Sequence, residues 1–345
     1  MLPIIENRPG IGGADVLLAL ILGYETGTRV GLALHGPQML SRGWHSGVVF
    51  GGAAAAASVG KLLGLSAAGF EDAIGMASTQ ACGLMSARFE SMIKRMQHGF
   101  AARNGLYAAV LAQGGYVGIK RVLEREYGGF LGVFGEGHDP DVSQIAAGLG
   151  SRWITTEIAI KPYSAMAALH GAIDCCLKIR EDGVGADRVK TILVEVGDAA
   201  FQHGGFEIKR PIQPITAQMS LRYGVAVALL DGGALAPQFS NKRINQDDVW
   251  SLLDRVDVRH EGSFDKPPHS PYTTRVTVMG TDGAEHKLMR ETPYGGEGNL
   301  LTNAEIVEKF ESLTSDPWRP GEAAGSATSS SASTPKRAWT PCSIS

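Results

Sequence analysis

The sequence predicts a mainly α-helical large domain followed by a smaller α+β domain. Three observations carry that prediction. Up to about residue 150 the chain runs in helix-length stretches of Ala, Gly and Leu. Beyond 153 the texture changes to short runs rich in Val, Ile and Thr, at 153–160, 188–196, 256–260 and 273–279, which read as strands. After the last of these, Thr281-Asp282-Gly283 is a hairpin signal. The boundary falls near 160. Residues 1–159 form the helical domain, completed by 302–316; residues 160–300 form the α+β domain; residues 318–345 are a disordered tail.

The elements follow in order. Residues 1–13, with two prolines and three glycines, read as a connector. Residues 14–35 read as a helix with an apolar stripe of Val16, Leu17, Leu20, Ile21 and Tyr24. On the same helix Gly23, Gly27 and Gly31 make a small-residue ridge suited to a close helix crossing. Residues 36–47 are a turn carrying His45, and 52–63 are a small-residue helix. Ser66 caps the next helix, which is expected to run to about Met85. Helices are expected over 99–115 and 119–126, and Asp141 caps a short one through 149. In the second half, Ser164 starts a helix carrying His170 and Asp174. Further helices are expected over 216–230 and 248–254. In the strand at 188–196, Ile192, Val194 and Val196 share one face. Thr302 or Asn303 caps a final helix with Glu305 in its first turn. The Gly, Ala, Ser and Thr of 321–334 offer nothing to bury.

Composition limits the function classes. A chain of 345 residues with 44% hydrophobic and 19% charged residues suits a two-domain globular protein. Its net charge of −3 gives no basis for a nucleic-acid or anionic-membrane partner, so an anionic ligand must be met by local Lys, Arg and His. The four cysteines, Cys82, Cys175, Cys176 and Cys342, lack metal-site spacing and read as reduced thiols. Glu6 and Asp15 interrupt the first 20 residues, so no secretory signal is read and no membrane span is expected. No Walker, Rossmann, nucleophile-elbow or zincin motif occurs. The expectation from these residues is a cytoplasmic protein without a zinc or iron–sulfur site, with nucleotide use disfavoured.

The chemistry-bearing residues cluster in two basic motifs and one helix. Gly43-Trp44-His45-Ser46-Gly47 sets an imidazole between glycines, where a ligand can approach the backbone. Lys94-Arg95-Met96-Gln97-His98-Gly99 puts Lys94 and His98 on one helical face. His170 lies seven residues after Tyr163 and four before Asp174, which can orient or charge its ring. Lys94 and Arg95 suit carboxylates, Lys as a point charge and Arg in bidentate fashion. Arg103, Lys161 and Arg222 are further candidate cations. His35, His138, His203, His260, His269 and His286 read as bystanders. These residues point to a metal-free site for a carboxylate ligand.

The two motifs, together with Gly75-Met76-Ala77-Ser78-Thr79-Gln80-Ala81-Cys82-Gly83-Leu84-Met85, resemble the MmgE/PrpD family. Tyr127-Gly128-Gly129-Phe130 and the segment from Lys161-Pro162-Tyr163 through His170 and Asp174 extend the resemblance over residues 10–313. The family contains 2-methylcitrate dehydratases and cis-aconitate decarboxylases, and the stretch from Met92 to Gly105 looks most like the fungal itaconate-forming decarboxylases. The resemblance implies a helical domain with an α+β lid, an active site in the cleft between them, no cofactor, and commonly a homodimer. It implies His45, His170 and Lys94 as catalytic residues. Lys161, Arg103, His98 and Tyr163 would bind substrate. Between Tyr163 and His170 many members carry Cys or His where this chain has Ala165 and Met166. Members also have a further stretch before the helix at 14, with an Asp/His motif, so a shortened family member is expected.

Three activities compete. The first is decarboxylation of cis-aconitate or a related tricarboxylate, in secondary metabolism, with His45 or His170 donating the proton. The second is dehydration of 2-methylcitrate or another alkylcitrate. The third is a non-catalytic dimer subunit.

Overall fold

Small residues decide how the first half packs. The computed structural model describes residues 1–89, 91–296 and 298–314. Its first elements are α1 (Leu2–Asn7), α2 (Gly13–Ala33), α3 (Gly36–Ser41), α4 (Ser46–Val49), α5 (Gly51–Leu63) and α6 (Ala67–Ser78). Then come α7 (Ile93–Gln113) and α8 (Phe130–Phe134). Helix α5 lies against α2, α6 and α7. The glycine ridge of α2 is what lets it approach. A Cβ at Gly23 would sit 2.0 Å from Ser58 Oγ, and one at Gly31 2.9 Å from the Phe50 ring. On α7, a Cβ at Gly105 would meet the Gly52 carbonyl at 2.6 Å. The helix propensity given up at these glycines is thus exchanged for close crossing.

The second half holds α9 (His170–Glu181), β1 (Val189–Val196), α10 (Asp198–Gly204), α11 (Pro214–Met219), α12 (Leu221–Asp231) and α13 (Asp247–Leu253). Strands β2 (Val256–His260), β3 (Thr274–Gly280) and β4 (Glu285–Arg290) complete it. The sheet order is β2-β1-β3-β4, with β1 parallel to β2 and antiparallel to β3, and β3 antiparallel to β4. Ile192, Val194 and Val196 do share a buried face, and with Val276 and Val278 they pack on α9 and α12. The fold is therefore the expected one, a mainly helical part and a smaller α+β part. Met1–Leu301 form one compact unit, and a second begins at Thr302. Within that second unit α14 (Asn303–Thr314) opens with a reciprocal cap: Thr302 Oγ1 accepts from the Glu305 N–H, and Glu305 Oε2 accepts from the Thr302 N–H. The expected tail at 318–345 lies outside the described residues.

Several elements differ from expectation. Residues 1–13 contain a short helix. The apolar stripe of α2 faces outward, with Leu17 59% and Tyr24 52% exposed, because the glycine ridge takes the packed side. Helix α6 ends at Ser78, and residues 119–126 form turns rather than a helix. The strand expected at 153–160 is a 3₁₀ turn, Ile154–Glu157. The Thr155 N–H and hydroxyl both donate to Glu25 Oε1, at 2.7 Å each, so this backbone is bonded to a buried carboxylate and not to a strand. The helix expected over 216–230 is two, α11 and α12. Extended Ser220 separates them, and its hydroxyl caps α12 by accepting from the Tyr223 N–H. Two stretches, Gly13–Ala33 and Ser46–Leu63, are long and apolar enough to cross a bilayer by length and composition, although 67% of the second is buried inside the protein.

Candidate active site

His45 stands at the N-cap of α4, where the chain leaves an extended segment. That segment is clamped to residues 83–85. The His45 N–H donates to the Gly83 carbonyl at 2.9 Å, and the Met85 N–H donates to the Gly43 carbonyl at 2.8 Å. Trp44 and Leu84 form the antiparallel bridge between them. Gly83, at φ +151°, permits this closeness, since a Cβ there would lie 3.1 Å from His45 Cβ and 3.0 Å from Gln97 Oε1. Helix α7 supplies the rest. Its first turn carries Lys94, whose Nζ is 3.4 Å from His45 Nε2. One turn later His98 sets its ring edge-on to His45, with centroids 4.7 Å apart. Gln97, buried between them, accepts at Oε1 from the Leu84 N–H (3.0 Å) and lies 3.3 Å from His45 Nδ1.

These groups open into a hollow of about 440 Å³ whose opposite wall comes from the α+β part. Lys161 lines that wall, its Nζ 3.5 Å from the Ala165 carbonyl, and Arg95 reaches across to Gln218 Oε1. Met166, His203 and Tyr272 add to it. The lining holds Lys94, Arg95 and Lys161, and among the described residues no Asp or Glu. The electrostatic result is a set of depressed pKa values. Burial and the charges of Arg95, Lys161 and Arg88 draw the Lys94 ammonium down to about 8. Burial, Lys94 and His98 draw the His45 ring down to about 4. His98 is lowered by burial and by the same cations. At neutral pH the imidazole of His45 is therefore uncharged and Lys94 is the proton-bearing partner.

The other expected site residues are placed elsewhere. His170, 2% exposed, sits behind the wall with Nε2 3.3 Å from the Ala165 carbonyl and its ring against Tyr163. Tyr163 donates its hydroxyl to Asp174 Oδ1 at 2.6 Å, and Asp174 Oδ2 accepts from the Tyr294 N–H at 2.7 Å. Asp174 thus serves Tyr163 and a backbone amide, which corrects its expected role on the His170 ring. Neither Tyr163 nor His170 lines the hollow; His170 is buried and Tyr163 half-buried. Arg103 is also not in it. Its guanidinium donates to Asn104 Oδ1 and lies over Phe100, on a separate cavity of about 570 Å³. Arg222 is bound to Glu207 and the Val256 carbonyl.

Three lining or supporting groups escaped the sequence reading. His203, read as a bystander, lines the hollow from α10, with Arg88 3.3 Å from its Nδ1. Arg88 is held over the rings of Phe89 and Phe206, a contact between distant residues that no local spacing signals. Gln97 carried a usable signal, because it sits inside the basic motif one residue before His98. Among the described residues no group of three His, Cys, Asp or Glu side chains is placed to hold a metal ion.

The MmgE/PrpD N-terminal domain matches residues 4–143, and the MmgE/PrpD C-terminal domain matches residues 163–325. A cis-aconitate decarboxylase-like protein of Aspergillus oryzae is 42% identical over 321 residues, covering 90% of this chain and 66% of that protein. A cis-aconitate decarboxylase of Aspergillus terreus is 40% identical over 321 residues, covering 89% and 65%. The human cis-aconitate decarboxylase is 28% identical over 318 residues, covering 90% and 64%. The chain thus spans somewhat less than two thirds of the length of these relatives.

Proposed function

The chain belongs to the MmgE/PrpD family, and from that premise we propose that it is a carboxy-lyase acting on cis-aconitate or a related tricarboxylate. The observation that carries this reading is the hollow lined by Lys94, Arg95 and Lys161 with no carboxylate among the described lining residues, which suits a multiply charged anion. The names of the relatives supply the substrate class.

In this reading Lys161 and Arg95 anchor carboxylates from the α+β side and from α7. The carbon–carbon bond to one carboxylate breaks and CO₂ leaves. The electron pair stays on the substrate, spread over the neighbouring alkene and a remaining carboxylate, where the fixed cations stabilise it. Lys94 delivers one proton to carbon and takes its replacement from solvent, while neutral His45, accepting at Nε2 from the ammonium, holds that donor in place. The product is an itaconate-like dicarboxylate.

The test is product analysis with purified protein and cis-aconitate in D₂O. The expected result is CO₂ with a dicarboxylate carrying one deuterium on carbon, and a Lys94→Ala loss of about 10²–10⁴-fold in kcat/KM. Water exchange into or out of the substrate without CO₂ release would replace decarboxylation by dehydration. Absence of both binding and turnover would remove the lyase reading.

A further inference from the structure

We propose that Gln97 is a positioning residue that fixes His45 in the Nδ1–H tautomer, so that a bare Nε2 faces Lys94 and the hollow. The Leu84 N–H can only donate and its C=O can only accept. Gln97 meets both, with Oε1 3.0 Å from the Leu84 nitrogen and Nε2 3.1 Å from the Leu84 oxygen. Turning the amide over would set NH₂ against N–H and oxygen against oxygen, so its orientation is determined by the backbone. The atom facing His45 Nδ1 at 3.3 Å is therefore an acceptor, and Nδ1 must carry the hydrogen.

The other end of the ring agrees independently. Nε2 lies 3.4 Å from Lys94 Nζ, and an ammonium can only donate. Each nitrogen thus faces a partner whose polarity admits one tautomer. Among the described residues the charged and titratable neighbours are Lys94 and His98 on α7, with Lys161 across the hollow, and none of these supplies a carboxylate to stabilise an imidazolium. Leu84 is itself held by its bridge to Trp44. Gln97 therefore couples three separate stretches, 43–47, 83–85 and the start of α7, to one ring orientation.

The tautomer assignment stands without any assumption about the reaction; only its catalytic consequence rests on the lyase reading. The experiment is nitrogen NMR on ¹⁵N-histidine-labelled protein at pH 7, with the His45 signals identified by their loss in His45→Gln. Wild type should show a pyrrole-like Nδ1 and a pyridine-like Nε2. In Gln97→Leu the signals should move toward a mixture of tautomers, with kcat falling by about 10²-fold while KM stays within about twofold. Gln97→Glu keeps an acceptor at Nδ1, so it should retain the Nδ1–H pattern and raise the pH at which His45 protonates. A pyrrole-like Nε2 in the wild type would overturn the proposal, and this readout needs neither variant to fold. The expected NMR pattern in a protein that turns over no tricarboxylate would support the positioning role and count against the lyase reading alone.

Discussion

Lys94 is the residue on which pH dependence should be read. In the proposed reaction its ammonium is the proton source, and burial among cations has drawn its pKa down to about 8. Activity should therefore be full below that value and fall as pH rises through it. His45, drawn down to about 4, is neutral throughout the working range and sets only a distant acid limb, where substrate carboxylates also titrate. The alkaline limb of kcat/KM is the diagnostic one. Lys94→Arg, which does not titrate there, should abolish that limb while lowering the rate by about 10²-fold or more. An alkaline limb unchanged in Lys94→Arg would assign it to another group. At this scale the sequence was legible where chemistry and local spacing coincide. Lys94 and His98 share a helix face, and His45 sits in a glycine-flanked turn. It did not reveal that His170, Tyr163 and Arg103 lie off the lining of the hollow, because type and spacing do not show which wall of a helix or loop meets it. Whether Arg88 and His203 approach the same region depends on packing between residues more than 100 positions apart.

At the scale of elements, one buried ion pair ties α2 to the segment after α8. Arg29 Nε lies 3.1 Å from Glu25 Oε2, with side chains only 5% and 9% exposed. The guanidinium also donates to the carbonyls of Ala147 and Arg152, at 2.8 and 2.9 Å. Burial alone pushes the Glu25 carboxyl up, but Thr155 and Arg29 together outweigh it and hold the carboxyl below its usual range. Glu25→Ala should leave a buried cation unpaired and lower unfolding stability by about 3–5 kcal/mol, measured from urea transitions. A loss under about 1 kcal/mol would show that the pair is not structural in this way. The same network explains why 153–160 misled a pattern-based reading. Its β-branched residues are those of a strand, yet the partner of its backbone is a side chain 130 positions earlier. Likewise Ser220 breaks one apolar run into two helices because its hydroxyl caps the second, a choice that periodicity cannot register.

At the scale of the whole molecule, the helical and α+β character of the two halves was readable because each has its own period and its own core. Small residues at crossings make one, and β-branched residues facing α9 and α12 make the other. The hollow was readable only as an expectation, since its lining draws on α4, α7, α10 and the stretch around Lys161 together. Its charge also has a kinetic corollary. The chain as a whole carries −3, while the lining of the hollow holds three cations, so a trianion in bulk solution is not drawn in from afar. Attraction takes hold only within a Debye length of the mouth, about 10 Å at 0.1 M salt. Raising ionic strength should therefore erode capture, seen as a falling kcat/KM, while the turnover of molecules already lodged inside stays level.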